Sequence, residues 1–169
     1  MTVLTGLPIL YLDYDGVLHP DAVFRTRNGI ELLHHPGHEL FENVAMLEEV
    51  LEPYPNIRIV LSTSWLLLEG GYEMAKGRLS GPLQERCAGG TFHRRETRKA
   101  WFQSIPRPEQ ILADVKRRQP SAWLAVDDWH EGWPDWSHRH FVRTDSVLGI
   151  AAPEVLAELK AKLQREFGA

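Results

Sequence analysis

Hydrophobic residues along the chain alternate between short continuous runs and longer stretches with helical spacing. The continuous runs, at 9–12, 57–61, 122–126 and more weakly 140–142, predict strands buried on both faces. Helical spacing of apolar residues predicts helices over the ranges 38–51, 109–118 and 153–167. Strands that alternate with helices indicate a mostly parallel sheet covered on both faces. We therefore expect an α/β fold of the Rossmann-like, three-layer type.

One segment departs from this alternation. Residues 23–32 are compatible with strands and have Asn28-Gly29 at their centre. Asn-Gly is a strong hairpin signal, because both turn positions need positive φ. The sequence therefore predicts a small β-hairpin directly after the first strand.

Length, composition and charge limit the possible classes of protein. The 169 residues fit one domain, 1–169. The formal net charge of −4 does not indicate stable nucleic-acid binding through bulk positive charge, although it does not exclude a local basic strip. A single cysteine, Cys87, cannot form an internal disulfide, which favours a cytoplasmic protein. The apolar runs are far shorter than the roughly 20 residues that a membrane helix needs.

Two carboxylates follow the first predicted strand. Asp13 and Asp15 are two residues apart, so an extended chain points both side chains toward one site. Gly16 then lets the backbone turn away from the strand. In a phosphoryl-transfer site one such carboxylate attacks phosphorus and the other transfers a proton. Taken alone, the pair also fits a solvated turn, a helix cap or the metal motif of a glycosyltransferase.

A second acidic pair, Asp127-Asp128, follows the 122–126 run. Four carboxylates at one sheet edge would repel each other unless a cation were bound. Mg²⁺ is held in proteins by carboxylates, waters and substrate phosphates. The pair therefore predicts a magnesium site, with a surface turn as the alternative.

Hydroxyl groups follow the 57–61 run. Thr63 is the preferred contact for a substrate phosphate and Ser62 is the second choice, whereas Ser64 fits a helix cap. Basic residues before the 122–126 strand supply the cation that a crowded anionic site requires.

These motifs, in this order, resemble the haloacid dehalogenase (HAD) superfamily. The resemblance rests on the segment 9–17, which contains Asp13-Tyr14-Asp15-Gly16-Val17, on 59–65, and on 124–128. It implies a phosphatase with a catalytic set and a Mg²⁺ site. In that set Asp13 is the nucleophile, Asp15 is the general acid/base, and Thr63, Ser62 and Gly16 are at the substrate. The ligands of Mg²⁺ would be Asp13, the backbone carbonyl of Asp15, and Asp127 or Asp128. Arg107 best fits the family's basic residue, with Lys99 and Arg95 as alternatives.

The intervals between these motifs are too short for a large cap domain, so we expect an open site. The sequences of segments 59–65 and 124–128 resemble those of a capless subgroup found in RNA-repair proteins. An open site fits phosphorylated nucleic-acid ends, nucleotides or other bulky phosphomonoesters. A non-catalytic module that binds phosphorylated partners is the alternative. We interpret the Trp- and His-rich loop 129–140 as packing against the sheet, with base stacking as the alternative, and the basic run 94–99 as a solvated face.

Overall fold

The computed structural model describes residues 5–168, so both ends of the predicted domain 1–169 lie outside the described residues. The strands are β1 Pro8–Leu12, β2 Val23–Thr26, β3 Gly29–Leu32, β4 Arg58–Leu61, β5 Cys87–Gly90, β6 Ala122–Asp127 and β7 Phe141–Arg143. The α-helices are α1 Val44–Leu51, α2 Gly71–Gly77, α3 Gly81–Arg86, α4 Lys99–Ser104, α5 Arg107–Arg118 and α6 Pro153–Phe167. Short 3-10 helices cover Ser64–Leu67 and Asp135–His140.

Five strands form one parallel sheet in the order β5-β4-β1-β6-β7. The predicted parallel α/β sheet is therefore confirmed, and each of the four predicted strands agrees with an observed strand to within one residue at either end. In the centre of the sheet, Leu12 of β1 pairs with Leu61 of β4 on one side and with Val126 of β6 on the other. The carboxyl ends of these three strands consequently lie side by side.

Two hydrophobic clusters cover the two faces of the sheet. Leu10 and Leu12 of β1 point into the larger cluster, which includes side chains of α1 and α6. Ile9 and Tyr11 point to the opposite face and pack in the smaller cluster with Ile111 of α5. This alternation along β1 is the reason that every residue of the run is apolar, because both faces are buried.

The helix predicted over 38–51 is wrong at its start, since α1 begins only at Val44. Before it, Phe41 has φ +59° and its backbone N–H donates to Nδ1 of His19 at 3.1 Å. Asn43 donates through its side chain to the carbonyl oxygen of Val17 at 3.1 Å. These contacts hold the segment against the turn after β1, in a conformation that a helix does not allow.

Strand β5 has no counterpart among the predicted strands. Its sequence, Cys-Ala-Gly-Gly, lacks the β-branched and aromatic residues that indicate strands. Gly89 adopts φ +141°, and a Cβ there would lie 2.8 Å from Nη2 of the buried Arg118. Glycine is needed at this position because the guanidinium group lies directly against the backbone.

The predicted hairpin is confirmed as the antiparallel pair β2-β3. Between β1 and β4 the described chain adds only this hairpin and α1, and between β4 and α5 it adds β5, three short α-helices and the 3-10 helix Ser64–Leu67. Within residues 5–168 neither insertion is large enough to be a separate cap domain. No helix in this part of the chain is both long and apolar enough to cross a membrane.

Candidate active site

Three carboxylates converge at the carboxyl edge of the sheet. Asp13 directly follows β1, and its backbone N–H donates to the carbonyl oxygen of Val126 on β6 at 3.2 Å. This pairing brings Asp13 beside Asp127 and Asp128. One carboxylate oxygen from each of the three residues lies within 4.8 Å of the others. Three of the four predicted carboxylates are thus brought together by the register of two neighbouring strands.

Burial makes this cluster electrostatically unfavourable by itself. Desolvation, followed by the charge of Asp13, raises the pKa of Asp127 well above its ordinary value. Desolvation also raises the pKa of Asp13, although Arg107 opposes the shift. The pKa of Asp128 is raised to about 6, again by burial first and by Asp13 second. Carboxylates whose ionised forms are disfavoured in this way fit a site for a hard cation, which would compensate their charge.

Arg107 is the cation that the structure places in the cluster. Its Nη1 atom lies 3.2 Å from Oδ1 of Asp13 and 3.2 Å from Oδ2 of Asp127, and it also donates to the carbonyl oxygen of Ser62. Burial alone would lower the pKa of Arg107, but the two aspartates outweigh burial and raise it. The residue is the first of α5, so the helix start fixes its backbone at the sheet edge.

The alternatives to Arg107 lie elsewhere. Lys99 and Arg95 line a neighbouring basin and are not among the residues that line the cleft containing Asp13. Of the three basic residues that fit the sequence pattern, Arg107 is therefore the one in contact with Asp13.

Asp15 is held apart from the three-carboxylate cluster. Its Oδ1 atom accepts hydrogen bonds from Nε1 of Trp65 at 2.9 Å and from Nε2 of His19 at 2.8 Å. Nδ1 of His19 accepts from the backbone N–H of Phe41, so the ring proton resides on Nε2 and the imidazole is neutral. Both donors thus bind one oxygen of Asp15. The other oxygen, Oδ2, has no partner within residues 5–168.

Gly16 is in close contact with Asp128. The glycine adopts φ +73°, and a Cβ at this position would lie 2.3 Å from Oδ2 of Asp128. A larger residue would displace the Asp128 carboxylate from its place. The role expected for Gly16 was contact with substrate, whereas the structure shows contact with a carboxylate of the acidic cluster.

Thr63 and Ser62, the hydroxyl residues that follow β4, have different roles. Thr63 caps the short helix Ser64–Leu67 by accepting from the backbone N–H of Trp65 at 3.3 Å, and it lines the cleft. The capping expected of Ser64 is therefore performed by Thr63, whose hydroxyl proton remains available as a donor. Ser62 is buried, does not line the cleft, and uses its carbonyl oxygen to bind Arg107. Its hydroxyl has no hydrogen-bond partner within the described range.

Comparison with protein families places these residues in a known family. A family model described as the HAD domain in Swiss Army Knife RNA repair proteins matches residues 9–155. The match covers most of the chain and includes every residue of the cluster. The chain belongs to this HAD family. Comparisons with curated proteins and with solved structures found no significant match.

Membership gives the acidic cluster a chemical context. Membership in the HAD family suggests a phosphohydrolase, and the three carboxylates of this HAD domain could bind a metal ion. The resemblance inferred from the strand-end motifs is thereby confirmed.

The cleft of this HAD domain is open, with a volume of about 420 Å³. Asp13, Asp15, Thr63 and Arg107 line it together with Trp129, whose side chain is 52% exposed. Hydrogen bonds hold both the backbone N–H and the carbonyl oxygen of Trp129. Its N–H donates to Oδ1 of Asp127 at 2.9 Å, and its carbonyl oxygen accepts from the indole of Trp133 at 3.2 Å.

The Trp- and His-rich loop of the HAD domain therefore has two kinds of tryptophan. Trp133 is buried and stacks on Phe141 with ring centroids 4.5 Å apart, as the packing interpretation predicts. Trp129 and Trp136 are exposed instead, and only Trp129 of the loop lines the cleft.

Sequence reasoning did not find His19 and Trp65 as residues of the site. Nothing in their spacing indicates this role, because it arises from the approach of Trp65 to a carboxylate 50 positions earlier in the chain. Both are almost fully buried, so a pattern of apolar positions classes them with the core.

Proposed function

We propose that this HAD domain is a magnesium-dependent phosphohydrolase that acts through an aspartyl-phosphate intermediate. One observation carries the proposal. A buried Asp13 contacts Arg107 and has an oxygen within 4.8 Å of those of two further carboxylates, while Asp15 is held separately by two donors on the same cleft. This arrangement provides a nucleophile in an anion-stabilising site beside an independent proton carrier.

In the first step, Oδ2 of Asp13 attacks phosphorus. Oδ1 is engaged by the backbone N–H of Tyr14 at 2.8 Å and by Arg107, which leaves Oδ2 as the oxygen without a described partner. A new oxygen–phosphorus bond forms on Asp13 while the bond to the leaving oxygen breaks. Oδ2 of Asp15 gives its proton to that leaving oxygen, so the product leaves as an alcohol.

In the second step, Asp15 acts as a base. Oδ2 accepts a proton from a water molecule, whose oxygen attacks the phosphorus of the aspartyl phosphate. The bond between phosphorus and Asp13 then breaks, and inorganic phosphate leaves. Asp13 is again a carboxylate and Asp15 again holds a proton, ready for the next turnover.

The remaining residues bind and orient the phosphate. The guanidinium of Arg107 offsets negative charge beside Asp13, and the hydroxyl of Thr63 is available to donate to a phosphate oxygen. Asp13, the backbone carbonyl of Asp15, Asp127 and Asp128 would hold Mg²⁺. When bound, Mg²⁺ supplies positive charge that offsets the carboxylates and the transferring phosphoryl group.

The open cleft suits phosphomonoesters with bulky leaving groups. Nothing within residues 5–168 forms a domain over it, and the exposed ring of Trp129 stands at its wall. The matching family is described from RNA repair proteins. These observations support nucleic-acid ends, nucleotides and comparable phosphomonoesters as substrates.

Replacing the nucleophile tests the mechanism. Asp13→Asn should lower kcat for Mg²⁺-dependent release of phosphate from an aryl phosphate by at least about 10³-fold, as loss of a nucleophile generally does. The matched control is Asp135→Asn, which makes the same change at an exposed position of another loop. Trapping of beryllium fluoride by the wild type but not by Asp13→Asn would locate the intermediate on Asp13.

Two outcomes would contradict the proposal. Full activity of Asp13→Asn would rule out the aspartyl phosphate. If the wild type released no phosphate from a panel of nucleotides, sugar phosphates, phosphopeptides and phosphorylated oligonucleotides while still binding Mg²⁺, the domain would be a non-catalytic binding module.

A further inference from the structure

A second concavity adjoins the active-site cleft. The segments 66–71 and 92–99 enclose an open basin of about 770 Å³. Leu67 lines both the basin and the cleft that contains Asp13, so the two are neighbours. We call this concavity the basic basin.

The basic basin concentrates positive charge on a chain whose net charge is −4. Its lining includes Arg94, Arg95, Arg98 and Lys99, against only two carboxylates. One of these, Glu96, is paired with Arg117 outside the basin at 3.0 Å. Within residues 5–168, none of the four basic side chains has an ion-pair partner at salt-bridge distance. Such charges are available to an anionic ligand.

The basic segment is anchored to the elements that build the active site. Nε2 of His93 lies 2.9 Å from Oδ1 of the buried Asp114 on α5, and Phe92 packs on Phe102 with ring centroids 5.1 Å apart. Phe102 itself lines the active-site cleft, and α5 begins at Arg107. The segment that carries the four cations is therefore attached to elements that also line the cleft containing Asp13.

Two exposed aromatic rings belong to the elements around the cleft and the basic basin. Trp129 lines the cleft with half of its side chain exposed and its backbone fixed, as described above. Trp101, two residues after Lys99 on α4, is 58% exposed. Aromatic rings that are open to solvent are platforms on which nucleobases stack.

We infer that the cleft and the basic basin form one binding surface for a phosphorylated single-stranded polynucleotide. The terminal phosphate lies at Asp13, the terminal base stacks on Trp129, and the following backbone phosphates contact Arg94, Arg95, Arg98 and Lys99. The position of the terminal phosphate rests on the proposed function.

Charge distribution favours this ligand over the alternatives. A small phosphomonoester would be bound within the cleft and would not reach the four cations of the basin. A phosphopeptide carries one phosphate and no regular backbone charge, whereas a polynucleotide carries one charge per residue together with stacking bases.

Binding without chemistry tests the surface directly. The probe is a fluorescein-labelled single-stranded oligonucleotide of about 10 nucleotides without a terminal phosphate, measured by fluorescence anisotropy with the whole protein. Arg94→Gln/Arg98→Gln should weaken binding by roughly 3- to 10-fold at low salt and reduce the slope of log K against log salt by about 1.4, because two phosphate contacts are lost. Lys116→Gln/Lys160→Gln removes the same charge from exposed helix positions outside the basin and should leave both quantities unchanged.

The aromatic platform is tested in the same assay. Trp129→Ala should weaken binding by about 5-fold or more, whereas Trp129→Phe should retain most of the affinity because it keeps a stacking ring. Equal weakening by the basin variant and by the Lys116/Lys160 control would overturn the inference, since bulk charge would then explain binding. Wild-type affinity in the basin variant would overturn it as well. So would displacement of the oligonucleotide by a phosphopeptide at an equal concentration.

Activity separates this inference from the proposed function. In the basin variant, kcat/KM for a phosphorylated oligonucleotide should fall relative to kcat/KM for an aryl phosphate. If that ratio stayed at the wild-type value, the surface would be wrong while the phosphohydrolase would stand. If the protein bound the strand through the basin but released phosphate from no substrate, the proposed function would fail and the surface would stand.

Discussion

At the scale of single residues, Asp13 and Asp15, the two aspartates after β1, have different environments that suit them to different chemical roles. Asp13 is buried beside two carboxylates and Arg107, so it can be an ionised nucleophile only when positive charge compensates the cluster. Asp15 instead receives two neutral donors on a single oxygen, which fixes its orientation and leaves the other oxygen free for a proton. Trp65 and His19 are thus positioning residues for Asp15.

Trp65→Phe isolates this positioning. The phenyl ring retains most of the packing against Tyr14, Phe41 and His19, but the Nε1–H that binds Asp15 is lost. We expect kcat to fall by about 10-fold for an alkyl phosphate, because its poor leaving group needs a well-placed proton donor. For an aryl phosphate with a good leaving group the loss should be smaller.

The control for this variant is Trp136→Phe, the same change at an exposed indole of the loop. Steady-state kinetics on the two substrates provides the measurement. An equal loss on both would show that Trp65 contributes packing alone and does not orient the proton donor.

At the scale of elements, the site depends on how the turn after β1 meets the turn after β6. The contact between them is Gly16 against Asp128, where no side chain fits on the first turn. Gly16→Ala should therefore displace the Asp128 carboxylate and weaken Mg²⁺ binding by about 10- to 100-fold, as disturbed ligand orientation generally does. The Mg²⁺ dependence of activity and titration calorimetry would measure the change.

Gly37→Ala is the matched control for this prediction. Gly37 also has a positive φ, +85°, but a Cβ there would meet nothing within 4 Å. Gly37→Ala therefore introduces backbone strain but no contact with a carboxylate. If Gly37→Ala weakened Mg²⁺ binding as much as Gly16→Ala, strain and not displacement of Asp128 would be the cause.

Elements with strong apolar patterns were the ones that the sequence could predict. The four predicted strands and α6 agree with the structure because each buries a continuous run or a clear helical face. Helices α2, α3 and α4 are short, and β5 contains two glycines, so their patterns are too weak to detect. The other differences from the predicted elements arise from contacts between residues far apart in the sequence. One example is α1, which begins later than predicted because Phe41 binds His19.

The candidate site was predictable to the extent that its residues lie at strand ends. Asp13 and Asp127 are brought together by the pairing of β1 with β6, which follows from a parallel sheet. The sequence favoured Arg107 over Lys99 and Arg95, and the contact with Asp13 distinguishes it from these two alternatives. His19 and Trp65 could not be predicted, because their role is created by packing between distant segments.

At the scale of the whole molecule, the acidic cluster links stability to pH and, on the proposed function, to Mg²⁺. The pKa of Asp128 is raised to about 6, and those of Asp13 and Asp127 are also raised, chiefly by burial. Above pH 4 the metal-free folded protein therefore binds more protons at these groups than the unfolded chain does. Their contribution to the free energy of unfolding consequently falls as the pH rises through about 4 to 6 and beyond.

If Mg²⁺ binds as proposed, it should reverse this loss, because it would bind the ionised carboxylates and only in the folded state. We expect the rise in Tm on adding Mg²⁺ to be small at pH 5 and larger at pH 7.5.

Asp128→Asn should stabilise the metal-free protein at pH 7.5 by about 1–2 kcal/mol, a value reduced for solvent screening at this partly buried residue. It should also diminish the Mg²⁺-dependent rise. Asp135→Asn, at an exposed position, should change neither quantity. A Mg²⁺-dependent rise in Tm that was equal at both pH values, or retained in full by Asp128→Asn, would show that the ion binds away from these carboxylates. Thermal unfolding at two pH values, with and without Mg²⁺, thus locates the metal without any assay of activity.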